Sequence, residues 1–312
     1  SGNIPQGGGM SSSAALEITA GYICKLLQKP DISDIELVKL AQEAENEFVG
    51  VKCGIMDQFA SVFGRKNHLI LLDCSNLHYE LLPFDSSRVK MVVCDTKKER
   101  TLAGSEYNLR RAQCAEAVQM LRKNIPAINT LRDVSVTKFN KYKASIPDVV
   151  MGHLLGEKGV PPILERPLAK RFRREKTGEP QVTDRLPDVL SRRAEHVIYE
   201  IERVRKATEA VRKNDIASLG KLMNESHKSL KELYEVSCFE LDIMVEIASA
   251  IKGVYGSRLM GGGFGGCTIS LVEAGAIDNF KNTIMEDYPK KTGKTPAIWA
   301  CSSSPGAREI TI

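Results

Sequence analysis

Three short segments of the sequence carry residues that could do chemistry. The first is Pro5–Ala15, in which Gly7, Gly8 and Gly9 precede three serines and a predicted helix. Glycines let backbone N–H groups close around an anion, and the free N–H groups of a helix N-terminus add a positive dipole. The segment lacks the lysine of a Walker A loop. Phosphate binding and an ordinary glycine turn with serine caps therefore both remain open.

The second segment offers carboxylates. Glu45 lies at the end of a helix predicted over 33–47, and Asp57 follows in the stretch Cys-Gly-Ile-Met-Asp-Gln-Phe. Because Met56 and Phe59 flank Asp57, we expect this carboxylate to be partly buried, in a loop beyond the helix. A buried carboxylate requires a partner or a function. A capping or salt-bridged aspartate is the structural alternative.

The third segment is a glycine-rich loop between two predicted strands. So many glycines let one backbone approach another backbone, or a ligand, very closely. A structural hairpin is the alternative interpretation, although it needs fewer glycines. The glycines are Gly261, Gly262, Gly263, Gly265 and Gly266.

Helices and strands of mixed order must position these segments. Apolar residues at helical spacing predict helices over 14–29, 33–47, 105–124, 187–213, 215–234, 239–252 and 276–287. Runs rich in Leu, Ile and Val predict strands at 68–73, 79–83, 90–94, 254–259, 267–272 and 296–300. This order predicts an α+β protein.

The composition excludes several classes of protein. With 312 residues and 42% hydrophobic residues, the chain can bury a large core and has no apolar run of membrane-spanning length. Eight scattered cysteines without a CxxC pair indicate reduced thiols in the cytoplasm. The net charge of +5 is concentrated at 166–176, inside a proline-rich insertion predicted over 151–186. One short basic cluster favours a solvated surface over nucleic-acid binding.

The three segments, in this order, resemble the galactokinases of the GHMP kinase superfamily. Segments 105–111, 193–197 and 234–238 are also similar to that family. The resemblance runs from residue 1 to about residue 305, with an interruption at the insertion.

The resemblance implies a two-domain α+β fold with the active site between the domains. The remainder of the N-terminal domain would be 1–90, and the C-terminal domain would be 91–312. It also implies an enzyme that uses ATP and Mg²⁺ to phosphorylate the C1 hydroxyl of α-D-galactose.

The resemblance assigns roles to individual residues. Asp57 would be the catalytic carboxylate at the C1 hydroxyl, and Gly54 and Tyr107 would contact the sugar. Glu45 and Ser13, with Ser12 as the next choice, would hold Mg²⁺. The glycines of 261–266 would line the site from the C-terminal domain. The ATP phosphates would be surrounded by Gly7, Gly8, Gly9, Met10, Ser11, Ser12 and Ser13.

The sequence also departs from the family. Nothing in it matches the family's N-terminal sugar-binding segment, Gly-Glu-His-Thr-Asp, so we expect this chain alone to be inactive or barely active. Two alternatives remain: a non-catalytic sensor of galactose and ATP, and a kinase for N-acetylgalactosamine. The complete serine loop favours an enzyme, and Cys-Gly-Ile-Met-Asp with Tyr107 favours galactose. We expect small-molecule substrates, no nucleic-acid or membrane partner and a cytoplasmic location; the oligomeric state stays open.

Overall fold

The structure is a computed structural model of the 312-residue chain. It describes residues 2, 4–5, 9–28, 31–99, 103–143 and 189–310, with the backbone alone at 103–105. Gly7, Gly8 and the predicted insertion over 151–186, with its basic cluster, lie outside the described residues.

Within these ranges the chain forms nine α-helices. They are α1 (Ser12–Gln28), α2 (Asp34–Glu43), α3 (Met56–Phe63), α4 (Ala103–Arg122), α5 (Val136–Tyr142), α6 (Val189–Arg212), α7 (Ile216–Glu232), α8 (Phe239–Ala250) and α9 (Ile277–Thr292). A π-helical segment, Ala44–Val49, continues α2, and a 3-10 turn, Leu131–Asp133, precedes α5.

Six strands form two antiparallel sheets in the described residues. They are β1 (His68–Leu72), β2 (Tyr79–Pro83), β3 (Val89–Asp95), β4 (Val254–Leu259), β5 (Cys267–Glu273) and β6 (Ala297–Cys301). β1 pairs with β2, and the larger sheet has the order β4-β5-β3-β6. In its register Val92 faces Ser270 on one side and Ala300 on the other.

The first three helices pack around a common apolar cluster that includes Ile18, Val38 and Phe59. Ser33 begins α2 with a capping box, since its hydroxyl accepts from the Glu36 N–H and the Glu36 carboxylate accepts from the Ser33 N–H. Burial of these apolar side chains therefore fixes α1, α2 and α3 beside one another, and they carry most of the predicted site residues.

The larger sheet is covered by α8 and α9. Met244 on α8 and Phe280 on α9 are fully buried in one cluster with Val92 of β3. Apolar side chains of both helices recur at helical spacing, as the sequence predicts. The mixed helix and strand content confirms the predicted α+β class.

The chain divides into two compact units. The first contains 1–101, 205–228 and 236–312, and the second contains 102–204 and 229–235. The second unit has its own core, in which Leu121, Phe139 and Leu190 are buried. The domain boundary expected at residue 90 stays a prediction.

Most predicted elements are present, and three differ. The helix predicted over 33–47 is α2 followed by the π-helical segment, which ends at Gly50 in the left-handed conformation. The helices α3 and α5 were not predicted. Both are short, and burial of their apolar faces, rather than helix propensity, stabilises such short helices.

Candidate active site

The described part of the predicted phosphate loop runs from Gly9 to Ser13. Gly9 has a φ of +77° and Ser11 a φ of +57°, so the chain turns sharply before α1 begins at Ser12. The Ala15 N–H donates to the Ser11 carbonyl at 3.0 Å, and the first turn of α1 contains no acidic residue. The positive end of α1 is therefore not neutralised by acids of its own first turn, as an anion site requires.

Met10, Ser11 and Ser12 are half-buried and Ser13 is exposed. The serine hydroxyls therefore belong to the turn and the first residues of α1, as the sequence predicts. Their role in phosphate binding stays a prediction.

Glu45 lies in the π-helical segment and is only 9% exposed. Its Oε2 is buried and has no hydrogen-bond partner among the described residues. A buried carboxylate oxygen without a donor is costly unless a cation or a proton compensates it. π-helical turns are rare and occur mostly at functional sites, so this segment is a natural place for a ligand-binding carboxylate.

Glu17 on α1 is a neighbour of Glu45 that the sequence analysis missed. Its carboxyl lies within hydrogen-bonding reach of the Glu45 carboxyl, and its Oε2 accepts from Gln58 Nε2 at 3.2 Å. Burial, together with the hydrogen bond and the charge of Glu45, raises the pKa of Glu17 to about 7. One feature of the sequence points to Glu17. It lies four residues after Ser13, so the two side chains share a helix face.

Cys53 lies in the loop between the π-helical segment and α3. Burial raises the pKa of its thiol, and the negative charges of Glu45, Glu17 and Asp57 add to that effect. Gln42 Nε2 donates to the Cys53 carbonyl at 3.1 Å and so ties this loop to α2. The loop that carries Cys53 is therefore tied to α2, and its thiol is influenced by three negative charges.

Asp57 lies in the first turn of α3 and is exposed. The expectations that it is partly buried and that it lies in a loop are both wrong. Of the two residues on which that expectation depended, Met56 is 62% exposed and Phe59 is buried in the core. The Asp57 carboxylate therefore lies in the first turn of a helix and is accessible to a substrate.

Gly54 precedes α3 and is exposed. A Cβ built at this position meets no heavy atom of the described residues within 4 Å. Packing at this position therefore does not require a glycine. The expected contact with the sugar remains one explanation for the glycine.

Tyr107 belongs to the second unit, near the start of α4, and is 36% exposed. One turn later, Arg110 donates to the backbone carbonyls of Tyr234 and Glu235 at 2.7 and 2.9 Å. Arg110 is 7% exposed, so both bonds are largely shielded from water. They fix the turn of α4 that carries Tyr107.

A second buried arginine completes this polar network. Arg193 on α6 pairs with Glu235 at 2.6 Å and donates to Gln113 Oε1 at 3.1 Å. Although its burial alone would raise the pKa of Glu235, the hydrogen bond and charge of Arg193 together with Arg192 hold it below its ordinary value. Segments 105–111, 193–197 and 234–238, noted for their family resemblance, are thus joined by this network.

The glycine loop at 261–266 approaches two other backbone segments. The Phe264 N–H donates to the Val236 carbonyl at 2.7 Å, and the Gly266 N–H donates to the Lys98 carbonyl at 3.3 Å. Gly261, Gly263, Gly265 and Gly266 all have positive φ. These contacts give the loop a structural role, and its role in lining the site stays a prediction.

Two observations limit what the described residues can bind. They contain no group of three or more His, Cys, Asp or Glu side chains able to hold a metal ion. A Mg²⁺ ion held by few protein ligands and by a substrate's phosphates is compatible with this finding. None of the helices described is both long and apolar enough to cross a bilayer.

Comparison with known protein families defines the class of this chain. The model for the GHMP kinases N terminal domain matches residues 1–65, and the model for the GHMP kinases C terminal region matches residues 207–290. Together with the fold described above, these two matches identify the chain as a GHMP kinase.

Individual relatives identify the branch of that class. The chain is 40% identical to a galactokinase of Roseiflexus sp. over 308 residues, which covers 99% of this chain and 68% of that protein. It is 41% identical to a galactokinase of Fusobacterium nucleatum, covering 99% and 69% of the two chains. The chain belongs to the galactokinase family.

A solved structure supports the same conclusion. The crystal structure of Lactococcus lactis galactokinase complexed with galactose matches with a TM-score of 0.82 and 31% identity, covering 99% of this chain and 69% of that one. The resemblance inferred from the sequence motifs is confirmed.

Proposed function

We propose that this chain is a galactokinase that transfers the terminal phosphoryl group of ATP to the C1 hydroxyl of α-D-galactose. The observation that carries the proposal is the pair formed by buried Glu45, in the π-helical segment that continues α2, and exposed Asp57, in the first turn of α3, since α2 and α3 both pack against α1. This arrangement occurs in a chain about 40% identical to galactokinases along nearly its whole length.

The start of α1 would hold the phosphates of ATP. The N–H groups of the turn and the first helical residues are donors without helical partners, and the dipole of α1 favours negative charge. The hydroxyls of Ser11, Ser12 and Ser13 add donors at the same helix end. Gly7 and Gly8 would extend the loop.

The residues at Glu45 fit a Mg²⁺ ion. Mg²⁺ prefers oxygen ligands, and Glu45 Oε2 is a buried oxygen with no hydrogen-bond partner among the described residues. Glu45 and Ser13, with Ser12 as the alternative, would hold the ion. When bound, the ion would neutralise charge on the transferring phosphoryl group.

Asp57 would accept the proton of the C1 hydroxyl. As that proton moves to the carboxylate, the hydroxyl oxygen bonds to the γ-phosphorus and the bond to the bridging oxygen breaks, which releases ADP. The exposed position of Asp57 at the N-terminus of α3 supports this role, because a substrate hydroxyl can reach it. The side chain thereby orients the nucleophile as well as accepting its proton.

Gly54 and Tyr107 would contact the sugar, and the glycines of 261–266 would line the same site. The open space at Gly54 and the anchored turn that carries Tyr107 support these roles. ATP and Mg²⁺ are the proposed cofactors, and the cytoplasm is the proposed location.

The test is an ATP-dependent phosphorylation assay, run on this chain and on a version extended upstream in its gene. Galactose, N-acetylgalactosamine and glucose are compared as acceptors, and the product is identified by ³¹P NMR. We expect the extended version to give galactose 1-phosphate and ADP in equal amounts, with galactose preferred, and this chain alone to give little or no product. Binding of galactose and ATP without turnover in either form would favour the sensor, and preference for N-acetylgalactosamine would reject the proposed substrate.

A further inference from the structure

Helix α7 lies along the outer strand of the larger sheet. In the described part of the chain β4 pairs only with β5, so the N–H groups on its other side need different acceptors. The two backbones approach very closely, since a Cβ built on Gly256 of β4 would lie 2.0 Å from the Gly220 carbonyl oxygen of α7. This approach brings polar side chains of α7 within reach of the strand.

Two side chains of α7 accept hydrogen bonds from β4. Asn224 Oδ1 accepts from the Ser257 N–H at 2.8 Å, and His227 Nδ1 accepts from the Leu259 N–H at 3.3 Å. The two acceptors lie one helical turn apart, and the two donors are alternate residues of the strand. His227 thus holds the last residue of β4, just before the chain enters the glycine loop at 261–266.

The other ring nitrogen of His227 faces a carboxylate. Because Nδ1 accepts a hydrogen bond, it carries no proton, and the proton of the ring lies on Nε2. His227 Nε2 is 3.4 Å from Oδ1 of Asp242, in the first turn of α8. The same carboxylate oxygen accepts from the Ser237 hydroxyl at 2.6 Å. The imidazole therefore joins β4 to the segment that precedes α8.

The segment before α8 is also the one against which the glycine loop packs. The Val236 carbonyl, next to Ser237, accepts from the Phe264 N–H at 2.7 Å. His227 consequently holds the strand end that leads into the loop and, through Asp242, the segment that receives the loop. The side chain of His227 is buried, so water does not compete for these contacts.

We propose that His227 is a positioning residue of the proposed active site: it holds the glycine loop in the conformation that lines the site. It acts through its bond to the Leu259 N–H and its contact with Asp242, and it would touch neither the sugar nor ATP. The inference depends on the proposed function for the role of the loop, whereas the anchoring of the loop can be measured without turnover.

The experiment separates the two contacts of the imidazole. His227→Asn keeps an acceptor near the position of Nδ1, His227→Gln keeps a donor near the position of Nε2, and His227→Phe keeps a ring and loses both. Asn224→Leu is the matched control, because it removes the same kind of bond to β4 one helical turn further from the glycine loop. Hydrogen–deuterium exchange is measured by mass spectrometry on this chain, and kcat on the version extended upstream in its gene.

We expect His227→Phe to accelerate amide exchange at 259–267 about tenfold, because the loop then opens locally more often. Asn224→Leu should accelerate exchange at 254–258 instead, with a similar shift of the urea midpoint. Since a misplacement of about 1 Å at an active site lowers a rate by about 100-fold, kcat should fall about 10- to 100-fold in His227→Phe and less than about threefold in Asn224→Leu. His227→Asn and His227→Gln each keep one contact, so each should lose about fivefold or less.

Three results would overturn the inference. The first is exchange at 259–267 in His227→Phe equal to that of the unchanged chain. The second is an equal loss of kcat in Asn224→Leu, which would mean that any weakening of β4 has this effect. The third is faster exchange with unchanged kcat, which would remove the loop from the proposed site.

A variant that does not fold leaves the test intact. If His227→Phe is unfolded, unchanged exchange at 259–267 in both His227→Asn and His227→Gln overturns the inference in its place. An extended version that phosphorylates no sugar refutes the proposed function instead, while the exchange data still decide whether His227 anchors the loop.

Discussion

Replacement of Asp57 by asparagine separates catalysis from stability. Asn keeps the size of the side chain and removes only its charge and its ability to accept a proton. The Ser61 hydroxyl bonds to the backbone carbonyl of Asp57 at 2.9 Å, so that bond survives the substitution.

We expect Asp57→Asn to lower the stability of the fold much less than it lowers the catalytic rate. Asp57 is exposed in the first turn of α3, so the change costs the fold only a surface interaction with the helix dipole, about 0.3–1 kcal/mol. Loss of a general base lowers the rate by about 10²–10⁴-fold, or about 3–5.5 kcal/mol in transition-state free energy. The loss of activity therefore far exceeds the loss of stability.

Asp278→Asn is the matched control. Asp278 is also exposed in the first turn of a helix, α9, so its loss costs the same interaction with a helix dipole. We expect equal changes in the free energy of unfolding for the two variants in urea. Only Asp57→Asn should lose turnover, measured as ADP released with galactose in the form of the protein that is active.

The reasoning would be refuted if Asp57→Asn kept turnover within about tenfold of the unchanged protein, since a proton acceptor contributes more than that. It would also be refuted if Asp278→Asn lost as much turnover as Asp57→Asn. Affinity for ATP should be unaffected in both variants.

Three further variants test other parts of the structure. Gly54→Ala should leave the free energy of unfolding unchanged or slightly higher, because its Cβ meets open space, while the KM for galactose rises; an unchanged KM contradicts a sugar contact. Gly263→Ala should destabilise the fold by about 2 kcal/mol or more in urea, since its φ is +79° and its Cβ would lie 2.1 Å from the Val236 carbonyl oxygen; unaltered stability would show that the loop relaxes freely. Glu235 stabilises the fold above the ordinary carboxyl pKa of 4.5, and this contribution is lost as pH falls through its lowered pKa. Glu235→Gln should therefore flatten the acid limb of a stability-against-pH curve, and an identical limb in both proteins would reject this role.

The sequence predicts the regular elements well where one periodic pattern is long. All six strands and the helices α1, α4 and α6 to α9 lie where the apolar spacing indicates them. The α3 helix was missed because it has only eight residues and begins shortly after Gly54. Burial of Phe59 and Val62 in the cluster around Ile18 stabilises it, and a local pattern does not contain that information.

In the candidate site, too, the sequence predicts what depends on local motifs and does not predict what depends on the packing of helices. Motif order is sufficient to single out Glu45 and Asp57, because residue type and spacing carry the chemistry. It does not reveal Glu17, whose contact with Glu45 depends on how α1 packs against α2. The exposure of Asp57 was mispredicted for a similar reason, since the direction of the Met56 side chain depends on the start of α3.

The backbone bonds of the glycine loop make its flexibility smaller than its composition suggests. The Gly266 carbonyl accepts from both the N–H and the hydroxyl of Thr96, at 3.0 and 2.6 Å, while Phe264 is bonded to Val236. Glycine loses more conformational entropy than any other residue when it is ordered, and here folding has already met that cost. A ligand that comes to lie against this loop therefore meets a preorganised surface and loses no affinity to ordering it.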